Sequence, residues 1–292
     1  MVARLRTYLE LVRFEHTLFA LPFAYGGMLL AGHGWPVKSP SAGTQGLEIF
    51  LWITVAMVGA RTAAMALNRL IDWRIDARNP RTAKRHLPRG VVKPLEVIAL
   101  SVVGLLFLTL AAFNLNPLTA KLLPVAVFFL VGYSYTKRFT WLCHYWLGLT
   151  IGAASAGGWI AVTGAFEPAT LALWAGVALW LAGFDILYAT QDFQFDRENH
   201  IYSVPAKFGI AGALRIARWT HLGTWLFFVL TGILTGAGWI YYLGMAFVGA
   251  VLWYEHQLVK PDDLSKVDQA FFQANVVVSL GMLVIIALET LL

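Results

Sequence analysis

Nine runs of this 292-residue chain are apolar enough, at close to 20 residues each, to cross a bilayer: 16–32, 47–67, 95–113, 118–135, 143–163, 169–189, 214–234, 237–254 and 270–292. A hydrocarbon core takes about 20 mostly apolar residues per spanning helix. Inside that core a backbone amide has no water to bond, so a run of this length satisfies its own N–H and C=O groups as a helix. The apolar residues extend over the whole chain, 59% of it hydrophobic and only 13% charged, about half the charged share of a soluble domain. No polar linker divides them. The expectation is an all-α polytopic membrane protein of nine transmembrane helices, with residues 1–292 forming a single membrane domain.

The loops between these runs are not alike. Counting residues at their edges, the N-terminus and the segments 68–94, 136–142, 190–218 and 255–269 carry 19 of the 22 Lys and Arg residues. The alternate side has only Lys38 and Lys121, and Arg61 falls inside a run. Basic loops stay in the cytoplasm, which predicts a cytoplasmic N-terminus and an external C-terminus, as an odd number of spans requires. The net charge of +6 then reports topology rather than nucleic-acid binding. The basic, apolar start looks like a signal peptide, but its small-residue stretch continues into apolar sequence, as in an uncleaved first helix. One cysteine, Cys143, excludes an internal disulfide framework and any multi-cysteine metal site.

Two acidic clusters stand at span ends that share one side of the membrane. Asn68, Asp72 and Asp76 are spaced four and four, which aligns three oxygen-bearing side chains on one helix face and suits a hard cation. Asp185, Asp192 and Asp196, spaced seven and four, form a second stripe. Converging carboxylates at a membrane boundary need cations to be stable. Mg²⁺ takes a few carboxylates together with phosphate oxygens, so two open sites facing each other make a diphosphate clamp. Of the basic residues nearby, Arg81, Arg85 and Lys137 are read as phosphate ligands and Lys93 as a topology determinant.

These residues resemble the signatures of the UbiA-type intramembrane aromatic prenyltransferases. Asn68, Asp72, Asp76, Arg81, Thr82, Pro88 and Gly90 match the first motif, Tyr133, Lys137 and Arg138 a second, and Tyr188, Asp192 and Asp196 with SVPAKFG at 203–209 a third. All occur in family order, and the likeness extends from LFALPFA near the start to FFQANVVVS in the last run. After Asp192 the chain reads FQFDRENH, where many relatives place an extra acidic residue and a glycine. The resemblance implies nine helices around a cavity open sideways to lipid. It implies one Mg²⁺ on Asn68 and Asp72, a second on Asp192 and Asp196, and diphosphate held by Lys137 and Arg81, with Tyr133 and Tyr188 beside the substrate.

The implied reaction transfers a polyprenyl group from polyprenyl diphosphate to the ring of a hydroxylated aromatic acid, of the 4-hydroxybenzoate type, for quinone synthesis. The expected setting is the lipid bilayer of a bacterial inner membrane with the catalytic loops cytoplasmic, and with no obligate protein partner or nucleic acid. The same segments also resemble enzymes that prenylate a dihydroxynaphthoate on the futalosine route to menaquinone. A transporter is the competing class, but its charges should lie at mid-membrane in several spans, whereas these collect at one face. Two further residues are expected at the site. Arg61, an intramembrane cation seven residues before Asn68, is expected to face the cavity and bind diphosphate or the acceptor's carboxylate. Asp185 lies two helical turns, roughly 10 Å, deeper than Asp192. That is too far for the same ion, and suits a carboxylate that acts on the acceptor.

Overall fold

The computed structural model describes residues 2–13, 17–37 and 46–292. Lys38, one of the two basic residues assigned to the opposite side, and the first residue of the first run lie outside the described residues. A short helix α1 (Val2–Leu11) precedes α2 (Thr17–Gly32) and α3 (Gly46–Ile71), and a six-residue α4 (Trp73–Arg78) follows. Next come α5 (Pro94–Leu115), α6 (Pro117–Thr136), α7 (Cys143–Thr163) and α8 (Pro168–Ala189). A 3₁₀ turn at Thr190–Asp192 leads to α9 (Phe193–Glu198), α10 (Val204–Thr235) and α11 (Trp239–Leu258). The single turn α12 (Val267–Gln269) and a π-helical turn at Ala270–Ala274 open the last helix, α13 (Asn275–Leu291). Among the described residues there is no strand, only an isolated bridge between Lys260 and Asp263.

Local chemistry sets these boundaries. α5, α6 and α8 each begin on a proline, which lacks the N–H that a first helical turn leaves unpaired. Asn116 caps α6 by accepting from the amides of Leu118 and Thr119. α7 and α10 stop at Gly164 and Gly236, whose φ of 66° and 67° is the left-handed conformation glycine takes without penalty. Each apolar run read from the sequence holds one long helix. The seventh differs most, since α10 starts at Val204, ten residues before the apolar run. The Ser203 hydroxyl caps it by accepting from Ala206 N. Its first turns carry Lys207, which hydropathy alone assigns to a loop.

Six helical segments are long and apolar enough to cross a membrane: Gly46–Ile71, Pro94–Leu115, Pro117–Thr136, Cys143–Thr163, Pro168–Glu198 and Val267–Leu291. Helix α2 is apolar but shorter. The helices α2, α7, α8, α10, α11 and α13 pack each against the next and close back on α2, and α3, α5 and α6 complete the wall. Small residues draw them together, as expected where lipid offers no hydrophobic drive between helices. A Cβ on Gly158 of α7 would overlap the Ala24 carbonyl of α2, and one on Gly27 of α2 would overlap the Ser155 carbonyl of α7. The bundle encloses a cavity of about 1210 Å³. At the end where α3, α6 and α8 finish and α7 begins, polar side chains line it.

Candidate active site

All twelve residues expected at the site line this one cavity: Arg61, Asn68, Asp72, Asp76, Arg81, Arg85, Tyr133, Lys137, Asp185, Tyr188, Asp192 and Asp196. The first acidic cluster sits where α3 gives way to α4. The helical bonds Asp72 N to Asn68 O (2.9 Å) and Asp76 N to Asp72 O (2.8 Å) run through the junction, so the four-residue spacing survives the change of helix. Asn68 donates to Asp72 Oδ2 (2.8 Å) and to Ser134 Oγ (3.2 Å). The Asp72 carboxylate, 1% exposed, also takes Lys137 Nζ at 2.6 Å and Arg138 Nη2 at 3.1 Å. Asp76 accepts from Arg85 on both oxygens at 2.7 Å.

The second cluster runs from Asp185 in α8 through Asp192 in the 3₁₀ turn to Asp196 in α9. Asp192 is gripped by the Arg81 fork, Nε at 2.9 Å on one oxygen and Nη2 on the other, and by Asn79 Nδ2 at 2.8 Å. Arg81 also donates to the Tyr188 hydroxyl at 2.8 Å and lies over the Tyr188 ring, 5.0 Å from its centroid. Burial works against the Arg81 charge, yet its bonds to Asp192 and Tyr188 outweigh this and hold the guanidinium above its ordinary range. Asp196 accepts from the Ser203 hydroxyl at 2.8 Å. Arg81, from the segment after the first cluster, thus reaches across to the second. Two acidic walls and their basic partners face one space.

A fold with these motifs in this order can be compared with known proteins, and the model of the UbiA prenyltransferase family matches residues 20–277. The chain belongs to the UbiA prenyltransferase family. It is therefore a prenyl-transferring enzyme rather than a transporter. A 4-hydroxybenzoate octaprenyltransferase of Vibrio atlanticus is 27% identical over 288 residues, covering 99% of this chain and 98% of the relative. An apo UbiA homologue from Aeropyrum pernix K1 is 32% identical, with a TM-score of 0.83 over 94% of this chain and 98% of the other. A UbiA homologue from Archaeoglobus fulgidus, solved bound to DMAPP and Mg²⁺, shares the fold at 17% identity, with a TM-score of 0.71 over 96% of this chain and 99% of that one.

The UbiA-type cavity also holds groups that sequence reasoning missed or left bare. His144, in the first turn of α7, bonds Asp185 Oδ2 through Nδ1 at 2.7 Å. Asn79 completes the Asp192 grip, and its own Oδ1 accepts from Arg81 N at 2.9 Å, a local turn that aims the arginine. The sequence signal for Asn79 is its place before Pro80 and Arg81. His144 has a weaker one, a histidine at the start of an apolar run. Arg61 donates to the Arg13 carbonyl at 3.2 Å, so the end of the N-terminal segment lies over it. The Tyr133 hydroxyl donates to the Ala64 carbonyl at 3.2 Å. Among the described residues no group of three or more His, Cys, Asp or Glu side chains makes a metal cage.

Proposed function

We propose that this enzyme transfers a polyprenyl group from polyprenyl diphosphate to the ring of a hydroxylated aromatic acid of the 4-hydroxybenzoate type, in quinone biosynthesis at a bacterial inner membrane. The observation that carries the reading is the pair of carboxylate walls, Asp72 with Asp76 and Asp192 with Asp196, facing one cavity whose depth is apolar. The 4-hydroxybenzoate octaprenyltransferase name of the Vibrio atlanticus relative supports the acceptor class, and the ligands of the Archaeoglobus fulgidus homologue support the donor class and the metal.

The donor set fits Mg²⁺. It consists of hard oxygens, and Asp72 and Asp192 each already attract cationic side chains at hydrogen-bond distance. The want of a closed cage also agrees with an ion that keeps water and takes phosphate oxygens to fill its shell. Asn68, Asp72 and Asp76 would hold one ion, and Asp192 and Asp196 a second. When bound, Mg²⁺ neutralises charge on the diphosphate oxygens.

The side chains of the chain supply the rest. Arg81, Arg85 and Lys137 stabilise the negative charge that grows as the allylic C–O bond breaks and its electron pair leaves with diphosphate. The Tyr188 face, next to Phe271 at 4.2 Å between ring centroids, shields the allylic cation. A C–C bond then forms from the electron-rich ring, and the displaced ring proton passes to the Asp185 carboxylate. Arg61 holds either the acceptor's carboxylate or the diphosphate. Phe271 packs edge to face against Phe19 and Phe184, which are tilted against each other, and the three keep water, which would trap the cation, out of the region.

The test is a membrane assay that offers 4-hydroxybenzoate and dihydroxynaphthoate with one polyprenyl diphosphate and identifies the product by mass. The expected product is the prenylated hydroxybenzoate, formed only with Mg²⁺; exclusive prenylation of the naphthoate would transfer the enzyme to the other quinone route. In the same assay Arg61→Leu raises KM for whichever substrate the guanidinium holds. Unchanged KM for both and an unchanged rate would remove Arg61 from the site.

A further inference from the structure

The His144–Asp185 pair carries a role that the metal and diphosphate chemistry does not use. The Val204 backbone N–H donates to His144 Nε2 at 3.2 Å. An amide N–H is only a donor, so Nε2 must be the unprotonated nitrogen, and the ring proton of a neutral imidazole sits on Nδ1. Nδ1 lies 2.7 Å from Asp185 Oδ2, so it donates and Asp185 receives it as a carboxylate. A doubly protonated ring would set Nε2–H against the Val204 N–H. His144 is 4% exposed, whereas the Asp185 side chain keeps about a quarter of its surface open, and both line the cavity. Val204 begins α10 directly after Ser203, whose hydroxyl donates to Asp196. One imidazole therefore ties the acceptor-side carboxylate to the segment that also holds an aspartate of the second motif.

We propose that His144 is a positioning residue: fixed by Val204 as the Nδ1–H tautomer, it holds the Asp185 carboxylate turned toward the acceptor and does not itself shuttle the proton. This rests on the reading of Asp185 as the group that takes the ring proton, and the experiment separates the two.

Four variants of the full-length enzyme are assayed with 4-hydroxybenzoate and a polyprenyl diphosphate: Asp185→Asn, His144→Leu, His144→Gln, and the double variant His144→Leu with Asp185→Asn. Asp185→Asn is expected to lower kcat by about a hundredfold or more, the range for a positioned base. His144→Leu removes one hydrogen bond to a charged group, for which the expected fall in kcat is about ten- to a hundredfold. KM for the diphosphate and the Mg²⁺ dependence stay unchanged. Glutamine offers one N–H for Asp185 and one oxygen for Val204, so His144→Gln recovers most of the rate. The double variant is no slower than Asp185→Asn alone, because two residues acting as one unit are not additive.

A full rate in Asp185→Asn overturns the base reading, and any loss in His144→Leu then also overturns the proposal, since His144 would act through something else. The proposal alone fails if His144→Gln falls as far as His144→Leu, which marks a proton carrier, or if the two single losses multiply. It also fails if His144→Leu keeps the full rate while Asp185→Asn loses it. Thermal unfolding in detergent, equal for the leucine and glutamine variants, excludes misfolding as the cause of their difference; a lower Tm for leucine alone, with its rate loss matched by lost folded protein, overturns the positioning role.

Discussion

Asp72 takes three donors on two oxygens, Asn68, Lys137 and Arg138, and is almost fully buried. A carboxylate that much removed from water persists only with its charge compensated, and Lys137, one of the compensating groups, is also a proposed diphosphate ligand. Asp192 repeats the arrangement with Arg81 and Asn79. In the proposed arrangement, replacing either aspartate by alanine removes an oxygen donor to one ion and takes away the carboxylate partner of half-buried cations, Lys137 and Arg138 or Arg81. Asp72→Ala and Asp192→Ala are each expected to lose at least about a hundredfold in turnover while still inserting in the membrane, and chelation of Mg²⁺ should reproduce the loss. Near-normal turnover by both variants in saturating Mg²⁺, measured by product mass, would sink the two-site arrangement. Both aspartates were legible in the sequence, because a spacing of four is a local property that survives even the change from α3 to α4. The Arg81 partnership was not, because Arg81 and Asp192 are 111 residues apart.

Helix α7 shows what one element does in two directions. Neighbouring glycines, Gly157 and Gly158, have opposite surroundings: an added Cβ on Gly158 meets the Ala24 backbone, while around Gly157, which lines the cavity, it meets nothing within 4 Å. Gly158 lets α2 and α7 touch. Gly157 leaves open space, about 20 Å along the helix from His144 at 1.5 Å per residue, and the proposal is that the prenyl tail runs through it. Gly158→Leu is expected to destabilise the bundle by roughly 1–3 kcal/mol or more, the scale of overpacking, read as a lower Tm and a lower yield of folded protein in detergent. Gly157→Val is expected to keep the Tm and to lower kcat/KM for long polyprenyl diphosphates more than for short ones. An unchanged length preference would show that the tail runs elsewhere. The sequence displayed a Gly–Gly pair suited to close packing; which of the two packs and which opens depends on how α7 is turned.

For the whole molecule the alternating basic loops give the orientation, and the proposal is nine spans with the N-terminus and the polar cavity mouth on the cytoplasmic side. Since Cys143 is the one cysteine of the chain, a Cys143→Ser background allows single cysteines to be placed at will. In intact cells an impermeant thiol reagent should label Ala165→Cys, in the loop between α7 and α8, and should reach Val91→Cys, in the loop before α5, only after permeabilisation. The reverse pattern would invert the topology. What the sequence determined by itself is the set of long apolar helices, the bias of Lys and Arg toward alternate loops, and the positions of the motif residues. These follow from hydropathy, charge and short spacings, all fixed along the chain. Only the tertiary structure decided the partnerships, Arg81 with Asp192, Lys137 with Asp72 and His144 with Asp185. Each depends on the rotation and depth of one helix against another, and that is set by contacts such as Gly27 on Ser155 and Gly158 on Ala24, which no local pattern encodes.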